Sequence, residues 1–269
     1  MIDKKLADDL KKCTVFLGGT SRKGEIRPTA TGFRVKINKT SHLVTAKHVI
    51  INPRDGRFVD KDLLVFYNTK EGKIQAVRLD EIKNALGINW IFHDKKEVDI
   101  AIIPFPVDEQ SDESKFILTP LFVPTDQFYE VFDIFFLSYQ PGLTIQRRIS
   151  PIFRSGTISI MNDDNTFYID AAAFPGNSGS PVFLKPYNEG TSAKGGFIGI
   201  IGEYIPYREK AVSLQTGRVR VIFEENTGLS KVWSGSYLKQ IIESEKFRQQ
   251  IESYSEEHKI GSPIKEESG

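Results

Sequence analysis

The chain has 269 residues, room for one large all-β domain or two smaller ones around a packed core. Its 36 Lys and Arg nearly cancel 35 Asp and Glu, so no global field draws it to nucleic acid or to an anionic membrane. One cysteine excludes an internal disulfide framework and, with four histidines, leaves little for a structural zinc site.

Residues 2–12, "IDKKLADDLKK", read as a short helix, and the N-terminal segment lacks the apolar run of a signal peptide. No segment reaches the roughly 20 apolar residues of a membrane span. The expectation is a cytoplasmic protein whose partners include no nucleic acid and no membrane.

Short strands punctuated by turns follow. "TGFRVKI" alternates, with Phe33, Val35 and Ile37 on one face; "SHLVTA", "DLLVFYN", "IQAVRL", "VDIAIIPF", "EVFDIFFLSY", "GTISIM", "TFYIDA", "GGFIGIIGEYI" and "RVRVIF" continue the pattern. Strands recurring at short spacing, with Gly, Asn and Asp between them, indicate a sandwich or barrel. The segment 107–128, rich in Pro, Asp and Ser, reads as a crossover between two β units. Residues 234–256 read as one helix, with Leu238, Ile241, Ile242, Phe247, Ile251 and Tyr254 at helical spacings, docked on the β units. The last residues, 257–269, are polar and read as a flexible tail.

Three places carry chemistry. His48 closes the apolar strand "HLVTAKHVI". Asp99 is embedded in "EVDIAIIPF", where a carboxylate among apolar residues needs a partner. Ser178 lies in "DAAAFPGNSGSPVF", where only small residues would let the backbone turn its N–H groups toward a carbonyl. Gly, Pro, Asn and Ser also make ordinary surface turns, so the loop alone does not separate the two readings. Serine needs a base to become a nucleophile, and the imidazolium then formed needs a fixed carboxylate. The chain order His, Asp, Ser differs from the Ser, Asp, His of α/β-hydrolases, and Ser180 stands where their motif requires glycine.

These motifs resemble those of chymotrypsin-fold, trypsin-like serine proteases, closest to the bacterial group with the HtrA and glutamyl-endopeptidase branches. "LVTAKHV" is similar to the histidine motif, "VDIAIIP" to the aspartate motif and "DAAAFPGNSGSPVF" to the serine motif; "TATGFRV", "GTIS", "FIGIIG" and "TGLSKV" are weaker echoes. The resemblance implies an all-β fold of two antiparallel six-stranded barrels with a C-terminal helix. A single protease unit would span 1–256: a first barrel at about 11–106, a linker at 107–128, a second barrel at 129–233 and the helix at 234–256.

It further implies His48, Asp99 and Ser178 as the catalytic triad, and the backbone N–H groups around Gly176, Asn177 and Ser178 as the oxyanion hole. Counting back from Ser178, the pocket floor falls on Ala172 with Ala173 beside it. Gly202, Glu203 and Tyr204 would run along the substrate, and Gly228 would form another wall. An uncharged floor favours small or medium apolar side chains before the cut. Secreted members bury a new N-terminal ammonium against an aspartate that this chain replaces with Asn177, so that activation route is not expected. No PDZ domain is recognisable.

The expected function is peptide-bond hydrolysis through an acyl-enzyme on a protein or peptide substrate, with no cofactor and no metal. A regulatory protein partner would be the second kind of ligand. The alternatives are a latent or non-catalytic module binding a partner, and an esterase using the same triad.

Overall fold

The computed structural model describes residues 2–21, 25–112, 115–140, 148–189 and 192–258. Residues 259–269, most of the expected tail, lie outside these, while 257 and 258 end the last helix.

Helix α1 (Lys4–Cys13) starts at Asp3, whose carboxylate accepts a 2.7 Å bond from Leu6 N and so satisfies one free N–H of the first turn. The first half then runs β1 (Thr14–Thr20), β2 (Ile26–Ile37), β3 (Thr40–Thr45), α2 (Lys47–Ile50), β4 (Leu64–Asn68), β5 (Ile74–Arg78), α3 (Leu79–Ala85), β6 (Ile91–Phe92), β7 (Ala101–Pro104) and β8 (Ile117–Leu118). These strands form one eight-stranded sheet in the order β5-β4-β1-β2-β3-β7-β6, with β8 joined to β2. Val65 and Val77 at one end of that path, and Phe92 and Ala101 at the other, face one core. The sheet is therefore curled upon itself.

The second half contains β9 (Asp133–Ser138), β10 (Ile152–Met161), β11 (Thr166–Asp170), β12 (Pro181–Glu189), β13 (Ser192–Val212) and β14 (Val219–Ser234). They close into a six-stranded barrel in the order β10-β11-β14-β13-β12-β9. Alternate residues such as Phe136, Phe167, Ile169, Val182, Ile198 and Val232 fill its interior, as the period-2 reversal of side chains requires. Overall the fold is the all-β, chymotrypsin-like one.

A further core lies between the halves, where the Phe33 ring of β2 meets Phe197 of β13 at 5.3 Å. The C-terminal helix of the sequence reading is two helices, α4 (Gly235–Glu243) and α5 (Glu245–His258). Ser244 breaks it: its backbone is extended, and its hydroxyl accepts from Phe247 N at 3.2 Å, capping the second helix. Leu238, Ile241 and Phe247 of the pair pack on the shared core.

Candidate active site

His48 sits on α2, directly after β3, so the strand fixes where the imidazole starts. Asp99 lies just before β7, between Val98 and Ile100, both fully buried. β7 pairs with β3 through Thr45 and Ala101, and this register carries the carboxylate to the histidine. Asp99 Oδ2 lies 2.7 Å from His48 Nδ1, and Asp99 Oδ1 accepts from the His48 backbone N–H at 2.8 Å. A carboxylate only accepts, so Nδ1 carries the proton and Nε2 is the basic nitrogen. Burial alone would lower the His48 pKa; the hydrogen bond and charge of Asp99, with the charge of Glu203, outweigh it and leave the pKa above its ordinary value of 6.5.

The serine loop is a type II turn at its first step. Asn177 N–H donates to Phe174 O at 2.9 Å, Pro175 takes the second position, and Gly176 takes the third with φ of +97°, a region that L side chains avoid. Among the described residues, neither the Gly176 nor the Ser178 N–H donates to a protein acceptor. Asn177 is fully buried: its Oδ1 accepts from Phe174 N at 2.9 Å and its Nδ2 donates to Tyr139 O at 3.1 Å. The loop is thus held by neutral groups at the position where an activation ion pair was not expected.

The first half of the chain holds the loop as well. Thr31 Oγ1 donates to Gly176 O at 2.8 Å, Thr31 N donates to Ser178 O at 3.0 Å, and the same hydroxyl accepts from Tyr139 N at 3.0 Å. A Cβ on Gly179 would come within 2.3 Å of Thr45 Oγ1 and 2.9 Å of Ala46 N, so only glycine lets the loop dock on the strand end that leads into His48. Ser178 Oγ and His48 Nε2 make no hydrogen bond within the protein among the described residues.

The sequence model of the trypsin-like peptidase domain matches residues 30–190, more than half of the chain. The chain belongs to the trypsin-like peptidase family. Similar solved structures include the serine endoprotease from Yersinia pestis, with a TM-score of 0.49 and 16% identity over 90% of this chain and 65% of that one. The thermostable serine protease AL20 from an extremophilic microorganism has a TM-score of 0.50 and 13% identity over 86% and 95% of the two chains. This chain spans 65% of the first of these proteins, and at 13% identity the likeness to the second is one of fold. No curated protein matches the sequence.

In this trypsin-like peptidase, Gly202 of β13 lies against the aspartate: a Cβ there would be 3.7 Å from Asp99 Oδ2 and 2.8 Å from Trp233 Nε1. Glu203 is exposed, and its charge is felt at His48. Tyr204 packs on the second barrel's core, and its hydroxyl is drawn to Glu224. Ala173 is buried, Ala172 half-buried, and Gly228 N–H donates to Asn226 Oδ1 at 2.9 Å while Asn226 Nδ2 donates to Ala173 O at 2.6 Å. Asn226 ties two of the expected pocket segments together.

Three residues were missed by the sequence reading. Thr31 and Asn226 act through contacts more than 50 residues apart in the chain, which no local pattern marks. Asp170 is the third: its Oδ1 would be 3.7 Å from a Cβ on Gly228. Of the remaining histidines, His42 is buried against Phe247 and its pKa is lowered to about 4, chiefly by burial. His93 bonds Gln240 Oε1 at 2.8 Å.

Proposed function

We propose that the chain is a serine endopeptidase that hydrolyses peptide bonds of protein or peptide substrates through an acyl-enzyme. Ser178 is the nucleophile, His48 the base, and Asp99 the group that fixes the imidazole tautomer. The observation that carries this reading is the double hold of Asp99 on the ring and backbone of His48, which leaves Nε2 as the one basic nitrogen.

In the first step Ser178 Oγ attacks the substrate carbonyl and its proton moves to His48 Nε2. The Gly176 and Ser178 N–H groups, on either side of Asn177, donate to no protein acceptor among the described residues and are available to the oxyanion. Preformed donors of this kind each supply on the order of 10²- to 10³-fold in kcat. As the tetrahedral intermediate collapses, the same proton passes to the leaving amine. Water, deprotonated by His48, then attacks the ester and releases the acid. As the second tetrahedral intermediate collapses, the bond to Ser178 Oγ breaks and His48 returns the proton to Oγ, so one water is consumed per peptide bond and the enzyme is restored.

The test is labelling with a fluorophosphonate probe alongside proteolysis of an unfolded protein substrate. Wild type should be labelled on Ser178, and Ser178→Ala and His48→Ala should each lose about 10⁴- to 10⁶-fold in kcat with the fold retained. A folded wild type that neither labels nor cleaves would favour the latent binding module instead.

A further inference from the structure

Beyond residue 204 the pair β13 and β14 leaves the barrel. β14 pairs with β11 only through Leu229–Trp233, and β13 pairs with β12 only through residues 192–200, yet the two strands continue to pair with each other out to Val212 and Val219. Residues 207–212 and 219–227 are exposed throughout. The result is a projecting two-stranded arm with two open edges.

Those edges differ. An open edge is a template for another strand, and proteins blunt it with proline and charge. The β13 edge is blunted in this way by Pro206, which lacks an N–H, and by Arg208, Glu209 and Lys210. The β14 edge carries such charge at its barrel end, in Glu224 and Glu225, and much less beyond it. Its run Val219-Arg220-Val221-Ile222-Phe223 carries one charge among β-branched and aromatic residues, and Val219, Val221, Ile222 and Phe223 are 49%, 47%, 56% and 55% exposed. Among the described residues Arg220 and Phe223 have no side-chain partner.

We infer that the β14 edge pairs antiparallel with the same edge of a second copy of this chain, about a two-fold axis at Ile222, to make a four-stranded sheet across a dimer. Symmetric pairing of this sort sets residues directly opposite whose numbers sum to a constant. Centred on Ile222, it places Ile222 against itself, Val221 against Phe223 of the second copy, and Arg220 against Glu224 of the second copy, twice over. Moving the axis by one residue sets Arg220 against Ile222 or Asn226 and leaves no charge match within β14. The edge is thus self-complementary in one register, which is what selects a second copy over an unrelated strand. The inference does not rest on the catalytic reading.

The test is sedimentation velocity on the full chain across a concentration series, with two variants on this solvent-exposed arm. Wild type should dimerise, and Arg220→Glu, which sets like charges opposite, should weaken the dimer at least tenfold. Ile222→Cys should cross-link to its copy with a short bis-maleimide, because the native thiol, Cys13, is 4% exposed. Ala211→Cys, on the blunted edge, should not. A monomeric wild type overturns the inference, and so does a dimer that survives Arg220→Glu or that fails to cross-link through residue 222.

Discussion

Asp99 holds His48 through two different groups, the ring Nδ1 at 2.7 Å and the backbone N–H at 2.8 Å. The second bond fixes where the first turn of α2 begins, so the carboxylate positions the residue as well as its tautomer. Asp99→Asn tests the two functions separately. An amide can still accept from the backbone N–H through its oxygen, but its NH₂ would face Nδ1 and favour the wrong tautomer. The expected outcome is a retained fold with kcat lowered by about 10⁴-fold near neutrality. A loss below tenfold in steady-state kinetics would remove Asp99 from the mechanism.

In the proposed mechanism a second carboxylate sets the acid limb of activity. His48 must be neutral to act as base, so kcat/KM should rise with pH through the free-enzyme pKa of His48, which stands above 6.5. Glu203 is one of the negative charges that raise it. Removing that charge makes the protonated form less stable, so Glu203→Gln should move the acid limb to lower pH. A pH profile of kcat/KM with an unmoved or raised midpoint would show that Glu203 does not act on His48.

The His48, Asp99 and Ser178 motifs could be picked out from sequence because each places an unusual residue in a recognisable local frame: a histidine at a strand end, an acid in an apolar run, a serine between glycines. The all-β class was equally legible, since Phe33, Val35 and Ile37, or Phe167 and Ile169, alternate with residues on the opposite face. Thr31 was not legible as a holder of the serine loop, because its contacts to Gly176 and Ser178 span about 145 residues. Nor was the arm: "RVRVIF" alternates like a barrel strand, and alternation cannot tell a strand with two neighbours from one with a single neighbour. β12 escaped notice because Pro181, Pro186 and Asn188 interrupt its apolar run.

The neutral bracing of the serine loop makes Asn177→Asp informative. Nδ2 of Asn177 donates to Tyr139 O, and the residue is fully buried. An aspartate would turn a carboxylate oxygen toward that carbonyl in place of a donor, at a cost of about 3 kcal/mol or more. The expected outcome is a less stable protein whose fluorophosphonate labelling is strongly reduced at neutral pH and whose loss of thermal stability relative to wild type shrinks on acidification, as the carboxyl regains a proton to donate. Labelling and thermal stability equal to wild type would show that an ammonium or another cation reaches this site after all.

On the proposed reading the substrate pocket would combine an apolar floor with an acid at its wall. Ala172 and Ala173 supply no charge, so small and medium apolar side chains such as Ala, Val and Leu should lead the cleavage profile. Asp170 alters the second rank. Its Oδ1 lies 3.7 Å from where a Gly228 Cβ would be, and it has no cationic partner among the described residues. Because Asp170 is exposed, water screens its charge, and the attraction for a bound Lys or Arg should not exceed about 1 kcal/mol, or roughly fivefold in kcat/KM. Lys and Arg should therefore be cleaved less well than Leu but better than Glu. Asp170→Asn should remove the advantage of Lys and Arg over Glu and leave Ala and Leu unchanged. A peptide library read before and after this substitution decides it: cutting dominated by Glu, or Lys and Arg cleavage indifferent to Asp170→Asn, would show that residues 170–173 and Gly228 do not line the pocket.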